Sequence, residues 1–330
     1  MYNSEVLLEV KDLNVSFPTR RGELRAVNGV SYSVRKGEVM GLVGESGGGK
    51  SVGVYSIMGL INPPAKVNSG SALYMGKDML AMDQKEMQSF RGKEISMIFQ
   101  NPMSYLDPVF KIEKQMVETI RAHDASISRT EARLQSVNML REVNIRNPDR
   151  VMNSYPFELS GGMQQRIMIA IALLCDPKLL IADEPTTALD VTIQAQIIQI
   201  LKRIQKQSGM AMIYITHNFG IVAEICDMVS VMYGGYILEQ GTTDDVFYRT
   251  AHPYTKMLMK TIPRIDSSIK EPFSPIGGVP VDSIALPDGC VFHPRCSNCM
   301  DICRRSFPPR TVLGTEHSAN CWLLNEGTGS

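Results

Sequence analysis

The sequence predicts an α/β protein whose core is a parallel sheet joined by crossover helices. Three observations carry this. The apolar run Glu38 to Val43 (EVMGLV) leads straight into a glycine-rich loop, and helical spacing follows from Lys50 to Leu60. Buried-type apolar runs recur at Lys178 to Ala182, Ala211 to Thr216 and Asp227 to Tyr233. A helical pattern from Thr192 to Gln207 separates the first two. Parallel neighbours must be joined by a long crossover, and strand, helix, strand at this spacing supplies one.

The remaining elements follow in order. Val6 to Val34 reads as short strands, LLEVKDLNVSF and then AVNGVSYSV, turning at Thr19-Arg20-Arg21-Gly22. Asn62-Pro63-Pro64 stops the helix that begins at Lys50, because proline offers no N–H to continue it. EISMIF (Glu94 to Phe99) is a further strand. From Ile112 to Asp176 the pattern is helical, with breaks near Ala125 to Ser128 and Asn147 to Ser154. After Ile262, prolines at 263, 272, 275, 280, 287 and 294 mark a loop-rich tail.

Composition narrows the function classes. A chain of 330 residues suggests two domains or one with a large insertion. Hydrophobic residues at 44% and charged residues at 21% permit a sizeable core and argue against global disorder. The formal net charge is zero, which argues against a nucleic-acid partner found through bulk charge. No run of eighteen apolar residues offers a membrane span. Residues 1–10 alternate polar and apolar, with acids at Glu5 and Glu9. They lack the basic start and apolar stretch of a signal peptide, so a cytoplasmic location is expected.

Gly44-Glu45-Ser46-Gly47-Gly48-Gly49-Lys50-Ser51 fits G-x-x-x-x-G-K-[ST]. Each residue type has a reason. Glycines let the backbone fold into a nest of N–H groups around phosphates. The helix that follows adds its positive N-terminal end. Lys50 supplies a cation for the β and γ phosphates, and the Ser51 hydroxyl a ligand for Mg²⁺. Leu179 to Glu184 (LLIADE) is an apolar strand ending in two acids. Asp183 is placed to hold the Mg²⁺ shell, and Glu184 to act on an attacking water. Leu159-Ser160-Gly161-Gly162-Met163-Gln164-Gln165-Arg166 opens a helix with Ser160 at the N-cap. Its glycines leave backbone N–H groups bare, a second anion-binding helix start in one chain.

LSGGMQQR between these two motifs resembles the ATP-binding-cassette (ABC) ATPases over roughly residues 5–260. Other pieces fall in that family's order. Gln100 in MIFQNP matches the Q-loop, Ala188-Leu189-Asp190 the D-loop, and His217 in YITHN the switch histidine. Phe17 is the better candidate for the aromatic that stacks on adenine, ahead of Tyr32. Gly48 stands where a serine is usual, and Asn218 where an aspartate commonly follows the histidine.

The resemblance implies a P-loop NTPase core with an antiparallel β-subdomain and an inserted α-helical subdomain at about 103–175. It implies ATP and Mg²⁺, the metal held through Ser51, Gln100 and Asp183. It also implies a head-to-tail dimer in which Ser160, Gly161, Gly162 and Gln164 of one protomer reach the ATP on the other. Glu184 would polarise water and His217 contact the γ-phosphate. The helical subdomain and Q-loop would receive a membrane partner.

The tail extends the resemblance. His252-Pro253-Tyr254-Thr255 and the segment after it resemble the C-terminal region of dipeptide and oligopeptide importer ATPases. That implies a domain boundary near residue 260, with an ABC domain at 1–260 and the tail at 261–330. It implies two membrane permease subunits and, indirectly, an extracytoplasmic substrate-binding protein. A second, different ATPase subunit is expected in the dimer, with a homodimer as the alternative. The site would be peripheral, on the cytoplasmic face of the membrane.

Of seven cysteines, Cys290, Cys296, Cys299, Cys303 and Cys321 crowd the last 41 residues. An odd count without a secretion signal argues against a disulfide framework. Some members of the family carry a 4Fe–4S cluster here, and the matching positions are Cys290, Cys296, Cys303 and Cys321. A zinc site that uses the C-x-x-C of Cys296 and Cys299 stays open on chemistry alone. Such a cluster is expected to matter more for order in the tail than for ATP chemistry. The functional reading is a transport motor for peptides. The alternatives are a soluble non-transport ABC ATPase, or an importer of other cargo such as nickel.

Overall fold

The computed structural model describes residues 5–100, 105–186, 190–261 and 277–325. The chain begins with β1 (Val6–Thr19), β2 (Gly22–Arg35), β3 (Val39–Val43), α1 (Lys50–Ile57), β4 (Lys66–Tyr74) and β5 (Lys77–Asp78). Next come α2 (Gln84–Phe90), β6 (Ile95–Ile98), α3 (Ile112–His123), α4 (Arg129–Glu142), α5 (Pro148–Met152) and α6 (Gly161–Leu173). Then follow β7 (Leu179–Asp183), α7 (Val191–Ser208), β8 (Ala211–Thr216), α8 (Phe219–Ile225), β9 (Met228–Tyr233) and β10 (Tyr236–Thr242). The last elements are α9 (Thr243–Tyr248), α10 (Pro253–Met259), α11 (Asp301–Arg305), β11 (Arg310–Val312) and β12 (Ser318–Asn320). They fall into two compact units.

The first unit holds Glu5, Arg35–Glu38 and Met82–Tyr214. In its sheet β7 lies between β6 and β8, and β6 pairs with β7 in parallel, Ile95 opposite Leu179. Every residue of β6 and β7 is buried, as parallel strands covered on both faces require. Helices α2 to α7 complete the unit. The breaks expected between them coincide with capping signals. Ser128 and Glu131 form a capping box at α4, each side chain satisfying the other's backbone N–H. Pro148 opens α5 at a position where a missing N–H costs nothing. Asp190 caps α7 by accepting from the Ile193 N–H at 2.9 Å. Gly209 ends that helix in the left-handed region at φ 66°.

The second unit holds Val6–Val34, Val39–Ala81 and the described residues from Ile215 on. Its first sheet is ordered β2-β1-β4-β5, with β1 and β4 antiparallel. Its second runs β11-β12-β10-β9-β3. There β3 and β9 are parallel, and β9, β10, β12 and β11 pair antiparallel in turn. Two features differ from the sequence expectation. The stretch 66–74 is a strand, although its first five residues are exposed and only Val67 among them carries an apolar side chain, so it shows no apolar alternation. The tail adds β11 and β12 to a sheet rather than only loops; three residues each is too short for a periodic signal.

Removing the capping box tests the helical stretch. Ser128→Ala should cost about 1 kcal/mol locally. Hydrogen exchange would read this as roughly fivefold faster exchange in the first turns of α4, with β7 amides unchanged.

Candidate active site

The glycine-rich loop lies between β3 and α1, in the second unit. Close backbone contacts dictate its glycines. Gly44 has φ 148°, and a Cβ there would collide with the Met232 carbonyl oxygen. Gly49 has φ 92°, and a Cβ there would collide with the Ala26 carbonyl oxygen. The loop is pinned by Gly48 N–H donating to the Glu45 carbonyl (3.2 Å) and Gly235 N–H donating to the Gly48 carbonyl (3.1 Å). Ser46 and Gly47 are exposed at the loop's crest, and Ser51 is half-buried in α1. Gly49 occupies the N-cap of α1 and has no side chain to fill it, so the helix's first N–H groups face the loop's interior. Lys50 is 5% exposed, and its Nζ donates to the carbonyl oxygens of Gly44 and Glu45, both at 2.8 Å. The ammonium thus lies across the cradle that would receive a phosphate.

The tail reaches this loop, which the sequence did not predict. Tyr254 Oη accepts from the Glu45 N–H at 3.0 Å. Arg295 grips the Glu45 carboxylate with both arms, Nη1 to Oε2 at 2.6 Å and Nη2 to Oε1 at 3.0 Å. The cue in the sequence was slight: an arginine one residue before Cys296.

The same unit carries His217 and Asn218. His217 follows β8 and is exposed. Asn218 caps α8, its side chain accepting from the Gly220 N–H at 2.9 Å. Asparagine and aspartate serve equally well in that role, which explains how this departure from the usual aspartate is absorbed. Phe17 is half-buried in β1. Tyr32 is 6% exposed and burial raises its pKa, so it is a core residue and not a platform for a base.

The first unit holds the acidic strand end. Asp183 closes β7 at 1% exposure. Glu184 turns the chain at φ 43°, a left-handed conformation uncommon for a side chain of this kind. Gln100 is brought to it, Nε2 donating to Glu184 Oε2 at 3.1 Å. That directs the amide nitrogen to the carboxylate and leaves the amide oxygen as the atom suited to a cation.

Ser160 sits at the N-cap of α6, but its hydroxyl makes no capping bond. Gly161 has open space around it, whereas a Cβ on Gly162 would press on Ile193 at 3.2 Å. Gln164 is 4% exposed, and its Nε2 donates to the carbonyls of Pro156 (2.7 Å) and Leu159 (3.1 Å), so it braces its own loop. Of the expected D-loop, Ala188 and Leu189 lie outside the described residues, and Asp190 is the α7 cap.

Four tail cysteines converge. Cys290, Cys296, Cys303 and Cys321 line one narrow cavity of about 10 Å³, together with His252, Phe292 and Trp322. Cys299 does not line it; its Sγ points to the Met300 carbonyl at 3.5 Å. Burial pushes the Cys290 thiol up to about 12, and neighbouring Cys303, Cys321 and Cys296 push the same way. Burial raises Cys296 and Cys321 as well. Among the described residues, no three His, Cys, Asp or Glu groups are grouped so as to hold a single metal ion.

Residues 27–187 match the ABC transporter family, and residues 238–303 match the oligopeptide/dipeptide transporter C-terminal region. Among solved structures, a dimeric bacterial ABC transporter cassette superposes with a TM-score of 0.64 at 25% identity, covering 72% of this chain and 98% of that one. CbiO1 of Clostridium perfringens, part of an ABC transporter complex, gives 0.62 at 28% identity, covering 74% and 92%. Loop, acidic strand and these likenesses define a P-loop ATPase of the ABC class.

Nearer relatives narrow the class. The dipeptide transport ATP-binding protein DppD of Bacillus subtilis is 47% identical over 323 residues, 98% of this chain and 96% of that protein. The oligopeptide transport ATP-binding protein OppD of Salmonella typhimurium is 46% identical over 305 residues, 92% and 90%. This chain belongs to the family of dipeptide and oligopeptide transport ATP-binding proteins, and it is an ATPase. No helix among its described residues is long and apolar enough to cross a membrane.

The Asn218 finding can be checked directly. Asn218→Asp should leave thermal stability within about 0.5 kcal/mol of the parent, whereas Asn218→Ala should lose about 1 kcal/mol. Thermal melts of the two variants, side by side, read the difference.

Proposed function

We propose that this chain is the ATP-hydrolysing motor of a peptide importer, bound peripherally at the cytoplasmic face of a membrane. The observation that carries this is the joining of the phosphate loop to a C-terminal region of the oligopeptide/dipeptide type, in relatives aligned over nearly the whole chain. The partners are two permease subunits, a second ATPase subunit and, indirectly, a substrate-binding protein outside the membrane. The decisive experiment is copurification with the permeases followed by ATP-driven uptake in vesicles. Uptake of nickel without peptide uptake, or ATPase activity with no permease bound, would replace this reading.

The chemistry follows from the residues. Lys50 leaves the loop carbonyls to neutralise β and γ phosphates, and the backbone from Gly44 to Gly49 encloses them. The Ser51 hydroxyl, the Asp183 carboxylate and the Gln100 amide oxygen are hard donors of the kind Mg²⁺ takes. Mg²⁺ held by donors of this kind would neutralise charge on the phosphates. Glu184 orients and deprotonates the attacking water, with Gln100 fixing its carboxylate, and His217 contacts the γ-phosphate. Ser160, Gly161 and Gly162 complete the site of a second protomer, their bare N–H groups meeting its nucleotide. Phe17 stacks on the adenine. Binding closes the pair and hydrolysis reopens it.

We infer further that Cys290, Cys296, Cys303 and Cys321 hold a 4Fe–4S cluster, with Cys299 outside the set. The reading is supported by one cavity lined by those four thiols and not the fifth. A bound cluster would supply a redox centre and cross-link four segments of the tail.

Three measurements bear on these roles. Lys50→Ala should abolish ATP binding, and Glu184→Gln should keep ATP bound while slowing hydrolysis by about 10²–10⁴-fold in the assembled complex. Specific activity of the isolated chain should rise with its concentration; full turnover by a protein shown to be monomeric during the assay would contradict the shared site. Anaerobically purified protein should be brown with about four irons per chain. Cys299→Ser should keep the colour and Cys303→Ser should bleach it; stoichiometric zinc without iron would favour the C-x-x-C alternative.

A further inference from the structure

Glu45 places a carboxylate inside a loop built to receive phosphates. Like charges at that range repel, so a bare carboxylate there opposes nucleotide binding. The chain answers with four separate grips on this one residue. Its N–H is held by Tyr254 Oη at 3.0 Å. Its carbonyl accepts from Lys50 Nζ at 2.8 Å and from Gly48 N–H at 3.2 Å. Its carboxylate is held by both arms of Arg295, at 2.6 and 3.0 Å. The Arg295 side chain is only 3% exposed. It is itself fixed by Nε donating to the Gly277 carbonyl at 2.9 Å and Nη1 to Tyr233 Oη at 3.2 Å. The guanidinium also lies 5.6 Å from the centre of the Tyr233 ring. The bond to Glu45 is the chief reason that the arginine's pKa is raised.

We propose that Arg295 is a positioning residue for nucleotide binding, acting through Glu45. It cancels the carboxylate's charge and holds the first turn of the phosphate loop in place. Two of the grips belong to the cradle itself and one of these, Lys50, must let go when its ammonium turns to a phosphate. Arg295 and Tyr254 come from outside the loop, so they can keep its shape through that exchange. A loop already shaped loses less entropy when it binds. A bidentate guanidinium gives direction as well as charge, which a lysine could not match. Arg295 acts on ATP binding whatever the transported cargo.

The test is a double-mutant cycle in the full-length protein. MgATP dissociation constants are measured for the parent, Arg295→Gln, Glu45→Gln and the double variant. KM and kcat are measured for the same four in the assembled transporter. Arg295→Gln should weaken MgATP binding on the order of tenfold, with KM raised more than kcat is lowered. The defect should shrink as salt screens the unpaired carboxylate. Adding Glu45→Gln should remove most of it, because the repelling charge is gone. An Arg295→Gln protein that binds like the parent would overturn the proposal. So would an equal loss in the Glu45→Gln background, since that would mean the arginine merely supports the tail. Should Arg295→Gln fail to fold, Arg295→Lys carries the test. It keeps the charge but loses the fork, so an intermediate loss relieved by Glu45→Gln is expected, and a loss that Glu45→Gln leaves intact would refute it.

Discussion

Two carbonyl oxygens, of Met232 and Ala26, stand where side chains on Gly44 and Gly49 would have to be. The phosphate loop depends on that close approach. It brings β9 and β2 against the loop between β3 and α1, and so ties the loop's curvature to two neighbouring strands. Both positions have positive φ, and α1 begins with a glycine N-cap that no side chain fills. The shape of the anion site is therefore set by backbone placement. Lys50 adds charge to a cradle already formed by main-chain atoms.

Legibility in the sequence followed the length and regularity of the signals. The core strands β3, β7, β8 and β9 are uniformly buried and mostly apolar, and could be read to within a residue or so. Helix α7 was equally clear because eighteen residues give several turns of pattern, and Asp190 and Gly209 mark its ends. β4 escaped because its exposed half holds one apolar side chain, Val67, and β11 and β12 because they are three residues long. The loop and acidic motifs were legible because their chemistry restricts residue type at fixed spacing. Contacts between distant segments were not. Nothing in local sequence links Glu45 to Arg295, 250 residues later, or turns the Gln164 amide back onto Pro156.

The convergence of the cysteines shows the same limit from the other side. Spacing alone could not separate Cys299 from the four that line the cavity. The backbone does so: the Cys290 N–H donates to the Cys303 carbonyl at 2.8 Å, drawing two thiol-bearing segments together, while Cys299 opens onto the loop before α11. Gly289, at φ 70°, makes that approach possible, because a side chain there would collide with the Cys303 carbonyl.

The pairing of β10 with β12 bears on how such a chain can be divided. Glu239 on β10 is fully buried. It accepts from the Ala251 and His252 N–H groups, and its carboxylate also meets His317 Nε2 at 2.9 Å. Cutting the chain after α10, where the composition changes, would remove that histidine and strip β10 of its outer neighbour. A newly opened row of strand N–H and C=O groups invites pairing with another copy. A shortened cassette of this kind would therefore tend to self-associate through its sheet, and its aggregation would report a severed strand rather than an unstable nucleotide site.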